Sequence, residues 1–364
     1  MTAWVLLSVT STCLAADGWR MDEFMVSGWG GPTDKATARA FVDAGFNTVM
    51  SKVEHLELCR AHGLQAILFD ATPEFAAEHH GDEAIWGYYV QDEPKAEEFA
   101  NAGERLAAFQ AADPTHPGYI NLMAWMDLDQ YFQTAKPWFL SYDYYQWWWG
   151  SGNHFGRLAA HRAAALKAGV PLICWVEGNA DKRYERGEAG AGYLPDNAAR
   201  LRQSVYTALA YGLKGIQWFT TGLVFTETGE LTESGVDVSR INADLVALGP
   251  ILVRLRSTDV WHTSPIPEGE KGLPEDGRIA TSAQDLLIGA LVDDEDGAQY
   301  LVVVNKSIER AQWSTLAIGQ VAAAVEKLDR KARRWRVQAT PNAAHVADVD
   351  LRLEPGDGVL LRLR

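Results

Sequence analysis

Cysteine, positive charge and long apolar runs are what this sequence has least of. Three cysteines occur in 364 residues, so at most one disulfide could form. Cys13 lies in an apolar leader, Cys59 in a helical pattern and Cys174 in an apolar run, where a buried free thiol is the ordinary state. Lys and Arg together number 33 against 48 Asp and Glu, for a formal net charge of -15. That field repels phosphate backbones and anionic lipid, which excludes nucleic acid and an acidic membrane surface as partners. A neutral substrate is indifferent to it. Beyond the leader no stretch reaches about 18 consecutive apolar residues, so no membrane span is expected. The only glycine cluster, Gly28, Gly30 and Gly31 in SGWGGP, does not fit the dinucleotide fingerprint, which disfavours a doubly wound nucleotide-binding sheet. His79, His80, His154, His161 and His262 lack metal-ligand spacing, and there is no Gly-x-Ser-x-Gly elbow. Neither a metal, nor a cofactor, nor a serine nucleophile is expected.

What is present begins with MTAWVLLSVTSTCLA, the apolar region of a secretory signal, with a small-x-small cleavage site at Cys13, Leu14 and Ala15. Residues 1–15 are therefore expected to be a signal peptide and the mature protein secreted or periplasmic. From Phe24 onward short apolar runs alternate with helical patterns. The runs are FMVSGW (24–29), NTVMS (47–51), LQAILFD (64–70), IWGYYVQ (85–91), GYINLM (118–123), WFLSYDYY (138–145), PLICWVE (171–177) and GIQWFTT (215–221). Glycine recurs between helix and strand in AGFNTVM, HGLQAIL, AGVPLIC and YGLKGIQW, where it supplies the left-handed residue that closes a helix. Continuous apolar strands alternating with helices imply a parallel sheet buried on both faces. Eight such units predict a (β/α)8 TIM barrel over residues 16–256. After Arg256 the apolar period becomes two, and DLLIGALVDDEDGAQYLVVVNKS reads as a hairpin turning at Asp296-Gly297. Further short runs at ARRWRVQ, DVDLRL and GVLLRLR predict a small antiparallel β-sandwich over residues 257–364, with the helix ADLVALGPILVRLR as the junction.

In a TIM barrel the active site lies at the carboxyl ends of the strands. Strand four ends in Asp92 and Glu93, and strand seven ends in Glu177. Two glutamates on one rim can cleave a glycosidic bond, one protonating the leaving oxygen while the other attacks the anomeric carbon or activates water. Alternation places Glu93 on one face with Tyr89 and Gln91, and Glu177 with Ile173 and Trp175; Asp92 points the other way unless the strand end bulges.

Asp92-Glu93-Pro94 resembles the Asn-Glu-Pro of clan A retaining glycoside hydrolases, such as the family 42 β-galactosidases and family 5 cellulases, and Glu177 falls where that clan carries its nucleophile. The resemblance covers about residues 22–255. It implies that Glu93 is the acid/base, that Glu177 is the nucleophile, and that the reaction passes through a covalent glycosyl-enzyme intermediate. Asp92 replaces the clan's asparagine, and an aspartate can accept but not donate the hydrogen bond to the sugar 2-hydroxyl. Strand two ends in Ser51-Lys52, without the arginine found near the nucleophile in many members.

The loop YDYYQWWWGSGNHFG, after strand six, holds Asp143, Tyr144, Trp147, Trp148 and Trp149. Three successive tryptophans cannot all face one core, so at least one is expected at the rim, where a flat indole stacks on sugar. Trp218 on strand eight is expected at the barrel's top, and Asn121 on strand five is a polar candidate for substrate contact. The partner implied is a carbohydrate. Two alternatives stand beside the retaining hydrolase: a catalytically inactive, carbohydrate-binding barrel, and an inverting glycosidase on the same scaffold.

Overall fold

The computed structural model describes residues 19–364; the expected signal peptide, residues 1–15, lies outside them. Eight parallel strands form the first sheet: β1 (Met25–Gly28), β2 (Thr48–Ser51), β3 (Gln65–Leu68), β4 (Ile85–Asp92), β5 (Gly118–Met123), β6 (Leu140–Asp143), β7 (Leu172–Glu177) and β8 (Gly215–Phe219). Their order is β1-β8-β7-β6-β5-β4-β3-β2. Asn47, just before β2, closes the remaining seam: its N–H donates to Val26 O at 3.1 Å, and its Oδ1 accepts from the Val26 N–H at 2.8 Å. Each of the eight apolar runs of the sequence coincides with one of these strands, β4 alone running one residue further to Asp92, because burial on both faces leaves a strand no polar side to show.

The barrel interior is filled by Met25, Met50, Ile67, Trp86, Tyr119 and Ile173, topped by Trp175. The outward-facing residues join the helices in the main core, where Cys59 and Cys174 are buried as free thiols.

The rest of the described chain is a β-sandwich. Its strands are β9 (Leu255–His262), β10 (Ile279–Ala280), β11 (Leu286–Asp293), β12 (Gln299–Asn305), β13 (Gln312–Ile318), β14 (Val325–Asp329), β15 (Arg334–Ala339), β16 (Ala347–Leu353) and β17 (Gly358–Leu363). Six form a sheet in the order β15-β14-β17-β12-β11-β9, and β10-β13-β16 form the other. The β11–β12 hairpin turns through Asp296-Gly297, with Gly297 at φ 73° as the turn requires. The junction differs from expectation by a few residues: the helix Glu233–Leu252 ends early, and Leu255 and Arg256 already belong to β9.

One face of the six-stranded sheet, with Ile288, Val303 and Leu361, packs on Leu316 and Val349 of the other sheet. Its opposite face, with Leu287, Val302 and Leu360, shares the barrel's core. Between this face and the barrel lies the helix Asn197–Ala210, buried along nearly its whole length. Its polar residues are buried along with its apolar ones, as in a helix covered on both sides. Glycines permit the contact: a Cβ at Gly289 would overlap Ala210 O, and one at Gly356 would overlap Ala199 O.

Candidate active site

The end of β4 breaks its own alternation. Tyr89 pairs with Tyr119, but Gln91 pairs with Ile120 and Asp92 with Asn121, so Val90 is an extra residue in the ladder. Such a bulge moves every later side chain to the opposite face. Gln91, expected on the inner face, turns outward, and its Nε2 donates to Glu98 Oε1 at 3.3 Å. Asp92 turns inward instead. Glu93 follows in the left-handed region at φ 45°, a conformation that raises a non-glycine residue's energy by about 1 kcal/mol or more. Its N–H is held by Asn121 O at 2.9 Å. Bulge and left-handed turn together point two consecutive carboxylates into one cavity at the mouth of the barrel.

Asp143, the last residue of β6, faces them from across β5. It is 2% exposed, and burial, then the charge of Glu93 and a hydrogen bond with the Glu93 carboxyl, push its pKa up to about 8. At neutral pH it keeps its proton. Asp92 is raised to about 6 by burial and by the charge of Glu93, while a hydrogen bond from Asn121 holds it down. Asn121 is fixed in turn. Its Oδ1 accepts from Ser141 Oγ at 2.9 Å, which leaves its NH2 for Asp92. Below, Tyr119 Oη accepts from Trp175 Nε1 at 2.7 Å and donates to Gln217 Oε1 at 2.8 Å, so the floor of the site is a hydrogen-bonded layer. One oxygen each of Asp92 and Asp143, Oδ1 in both, is buried without a partner.

The cavity holds about 440 Å³, within the range of small-molecule sites. Trp29, Trp175 and Phe219 form its apolar walls, with ring centroids 5.6 Å apart for Trp29–Trp175 and 6.2 Å for Trp29–Phe219. Tyr145 stacks on Phe219 at 5.3 Å. Tyr145 belongs to the tryptophan loop already singled out; sequence reasoning did not single out the other three as site residues, although Trp29 ends the first apolar run and Phe219 shares the face of Gln217.

Glu177 lies elsewhere. It is wholly buried and is not among the residues lining the cavity. Its Oε1 accepts from the Trp147 N–H at 2.8 Å, in the first turn of the short helix Gln146–Trp149. A carboxylate there satisfies an amide with no partner inside the helix. Burial pushes its pKa up to about 7, against the Trp147 amide and the more distant Arg200 charge, which lower it. The expected pairing of Glu93 with Glu177 is therefore corrected: the carboxyl that meets Glu93 is Asp143.

The three tryptophans go three ways. Trp147 leaves the cavity for the helix Asn197–Ala210, donating from Nε1 to Arg200 O at 3.0 Å under the Arg200 guanidinium. Trp148 is buried, lines the cavity and donates to Asn179 O at 2.8 Å. Trp149 is the exposed one, at the rim beside Trp125, with its Nε1 3.3 Å from Glu185 Oε1. Tyr144 does not line the cavity; its Oη donates to Gly150 O at 2.8 Å and pins the loop. Trp218 is also corrected: it points outward, fully buried, and donates to Asn242 Oδ1 at 2.8 Å.

No family model matches the sequence, and no curated protein matches it. Solved structures do. The α-L-fucosidase isoenzyme 2 of Paenibacillus thiaminolyticus superposes with a TM-score of 0.65 over 94% of this chain and 100% of its own, at 8% identity. The α-L-arabinofuranosidase of Thermotoga maritima covers 94% of this chain and 93% of its own at 11% identity, with a TM-score of 0.47. At 8% identity what the first shares with this chain is the fold, a TIM barrel followed by a β-sandwich.

Proposed function

We propose that this protein is a retaining glycoside hydrolase in which Asp143 is the acid/base and Asp92 the nucleophile. The observation that carries this reading is the opposed state of two facing carboxyls: Asp143 protonated at neutral pH, and Asp92 ionised above about 6. Titratable groups whose environments push their pKa values apart divide acid and base roles between them. Two neighbouring strand spacings place β4 and β6 roughly 10 Å apart. A covalent glycosyl-enzyme requires about 5 Å between the two carboxyls, and both aspartates turn from these strands into one cavity.

Asn121 supports the assignment, since a nucleophile held at one oxygen presents the other in a fixed direction. Glu93 supports it differently: its charge and hydrogen bond keep the proton on Asp143. The aromatic walls suit the apolar faces of a sugar ring. The shared fold with a fucosidase adds weight to carbohydrate as the substrate.

Azide separates the roles. Asp143→Ala acting on an aryl glycoside with a good leaving group should yield a glycosyl azide of retained configuration, and Asp92→Ala one of inverted configuration. Activity in both variants equal to that of the parent protein would overturn the assignment. Saccharide binding without turnover in the parent protein would instead favour an inactive binding barrel.

A further inference from the structure

Four carboxyl groups line the cavity, Asp92, Glu93, Glu185 and the protonated Asp143, and among the described residues lining it there is no lysine, arginine or histidine. Like charges this close repel, and a buried carboxylate without a partner is relieved only by a proton or a cation. Asp143, 2% exposed, is one of the lining residues, and its Oδ1 is buried without a partner. Hydroxyl groups of a neutral sugar would donate hydrogen bonds here but leave the repulsion standing. A uronic acid or a sulfated sugar would add to it.

The walls point the same way. Trp29 meets Trp175 at 63°, Trp148 meets Phe219 at 75° and Tyr145 meets Trp149 at 61°. These rings line the cavity, and an aromatic ring attracts a cation placed over its face. Among the described residues no three His, Cys, Asp or Glu side chains converge as a metal ion would need, so the cation this site suits is organic. The net charge of -15 draws cations toward the molecule from a distance.

Resting on the reading of this cavity as the sugar site, we infer that the substrate is a cationic glycan: an oligosaccharide of unacetylated 2-amino-2-deoxy sugars, whose ammonium group is received by Glu93. Asp92 attacks and Asp143 donates a proton, so Glu93 is the β4 carboxylate left to hold the charge. Its left-handed backbone, at φ 45°, turns it into the same cavity as Asp92. Acetylation of the amine removes both the charge and the reason to bind.

The test titrates the full chain with glucosamine, N-acetylglucosamine and glucose at about pH 6.5, where an amine is charged, following tryptophan fluorescence. Glucosamine should bind about tenfold or more tightly than the other two, and the gap should shrink at high salt. In Glu93→Gln, checked for an unchanged circular dichroism spectrum, the three sugars should bind alike. Equal affinities in the parent protein, or tighter binding of the acetylated sugar, overturn the inference. A parallel assay compares deacetylated with acetylated and neutral oligosaccharides. Cleavage of neutral glycosides with no glucosamine preference sinks the cationic substrate and leaves the hydrolase; glucosamine preference with no cleavage of any glycoside does the reverse.

Discussion

The N–H of Trp147 donates to Oε1 of Glu177 at 2.8 Å, and this one bond takes the most barrel-like glutamate of the sequence out of the cavity. Glu177 is a cap for the tryptophan helix, with its other oxygen buried and unpartnered. Its folded pKa of about 7 lies above the ordinary 4.5. The stability it contributes is therefore fully present below about 4.5 and is lost as pH rises through about 7. Glu177→Gln keeps an oxygen for the Trp147 amide and removes the charge. The variant should match the parent protein near pH 4 and exceed it at pH 8 by up to roughly 3 kcal/mol in chemical denaturation. Turnover should largely survive; its abolition with an intact fold would restore Glu177 to the reaction.

Activity should follow a bell in pH. Asp92 must lose its proton, which gives the acid limb near 6, and Asp143 must keep its own, which gives the alkaline limb near 8. Both limbs belong to the coupled cluster with Glu93 rather than to single residues. Asp143→Asn should reduce kcat on poor leaving groups by about 10²–10⁴-fold and erase the alkaline limb on activated aryl glycosides. An alkaline limb that persists in that variant would remove Asp143 from the acid role.

The tryptophans should separate in kinetics and melting. Trp149→Ala, at the exposed rim, should raise KM for long substrates with kcat on a short activated glycoside unchanged, the mark of lost uniform binding. Trp147→Ala, packed on the helix Asn197–Ala210, should lower stability by about 3–5 kcal/mol and affect short and long substrates alike. If the two variants behaved identically, the division of this loop into rim and anchor would be wrong.

Gly289→Ala tests the joint between barrel and sandwich. A methyl group there overlaps Ala210 O, and overpacking of this kind destabilises by about 1–3 kcal/mol. Because the six-stranded sheet and the barrel share a core, the variant should melt earlier in a single transition; truncation near Arg256 should leave an insoluble barrel. Two separate transitions, or a soluble and active truncation, would show the sandwich to be independent.

The barrel was legible because its strands are buried on both faces and say so in their composition. The alternation at their ends was not. The extra residue Val90 leaves no mark in IWGYYVQDEP, yet it exchanges the faces of Gln91 and Asp92. Strand seven carries the opposite lesson. Its apolar run continues to Glu177 with unbroken parity, and only the Trp147 amide, thirty positions earlier in the chain, draws that side chain away. Asn121 was legible as a polar residue on strand five, and Asp143 as a polar residue of the loop after strand six, although it is the last residue of β6. Trp175 and Phe219 stood out only as members of apolar strands, because the wall of a pocket and the top layer of a core have the same composition.

The buried helix Asn197–Ala210 also sets an order of events during synthesis. Its barrel face can be covered once β7 and β8 exist, but Gly358, which seats against the Tyr206 ring, is made almost last. At about 5–20 residues per second, the interval between Ala210 and Gly358 lasts roughly 7–30 s. Until β11, β12 and finally β17 arrive, the outward face of the helix is at most partly covered, and the nascent barrel carries an open apolar seam that a holding chaperone would recognise.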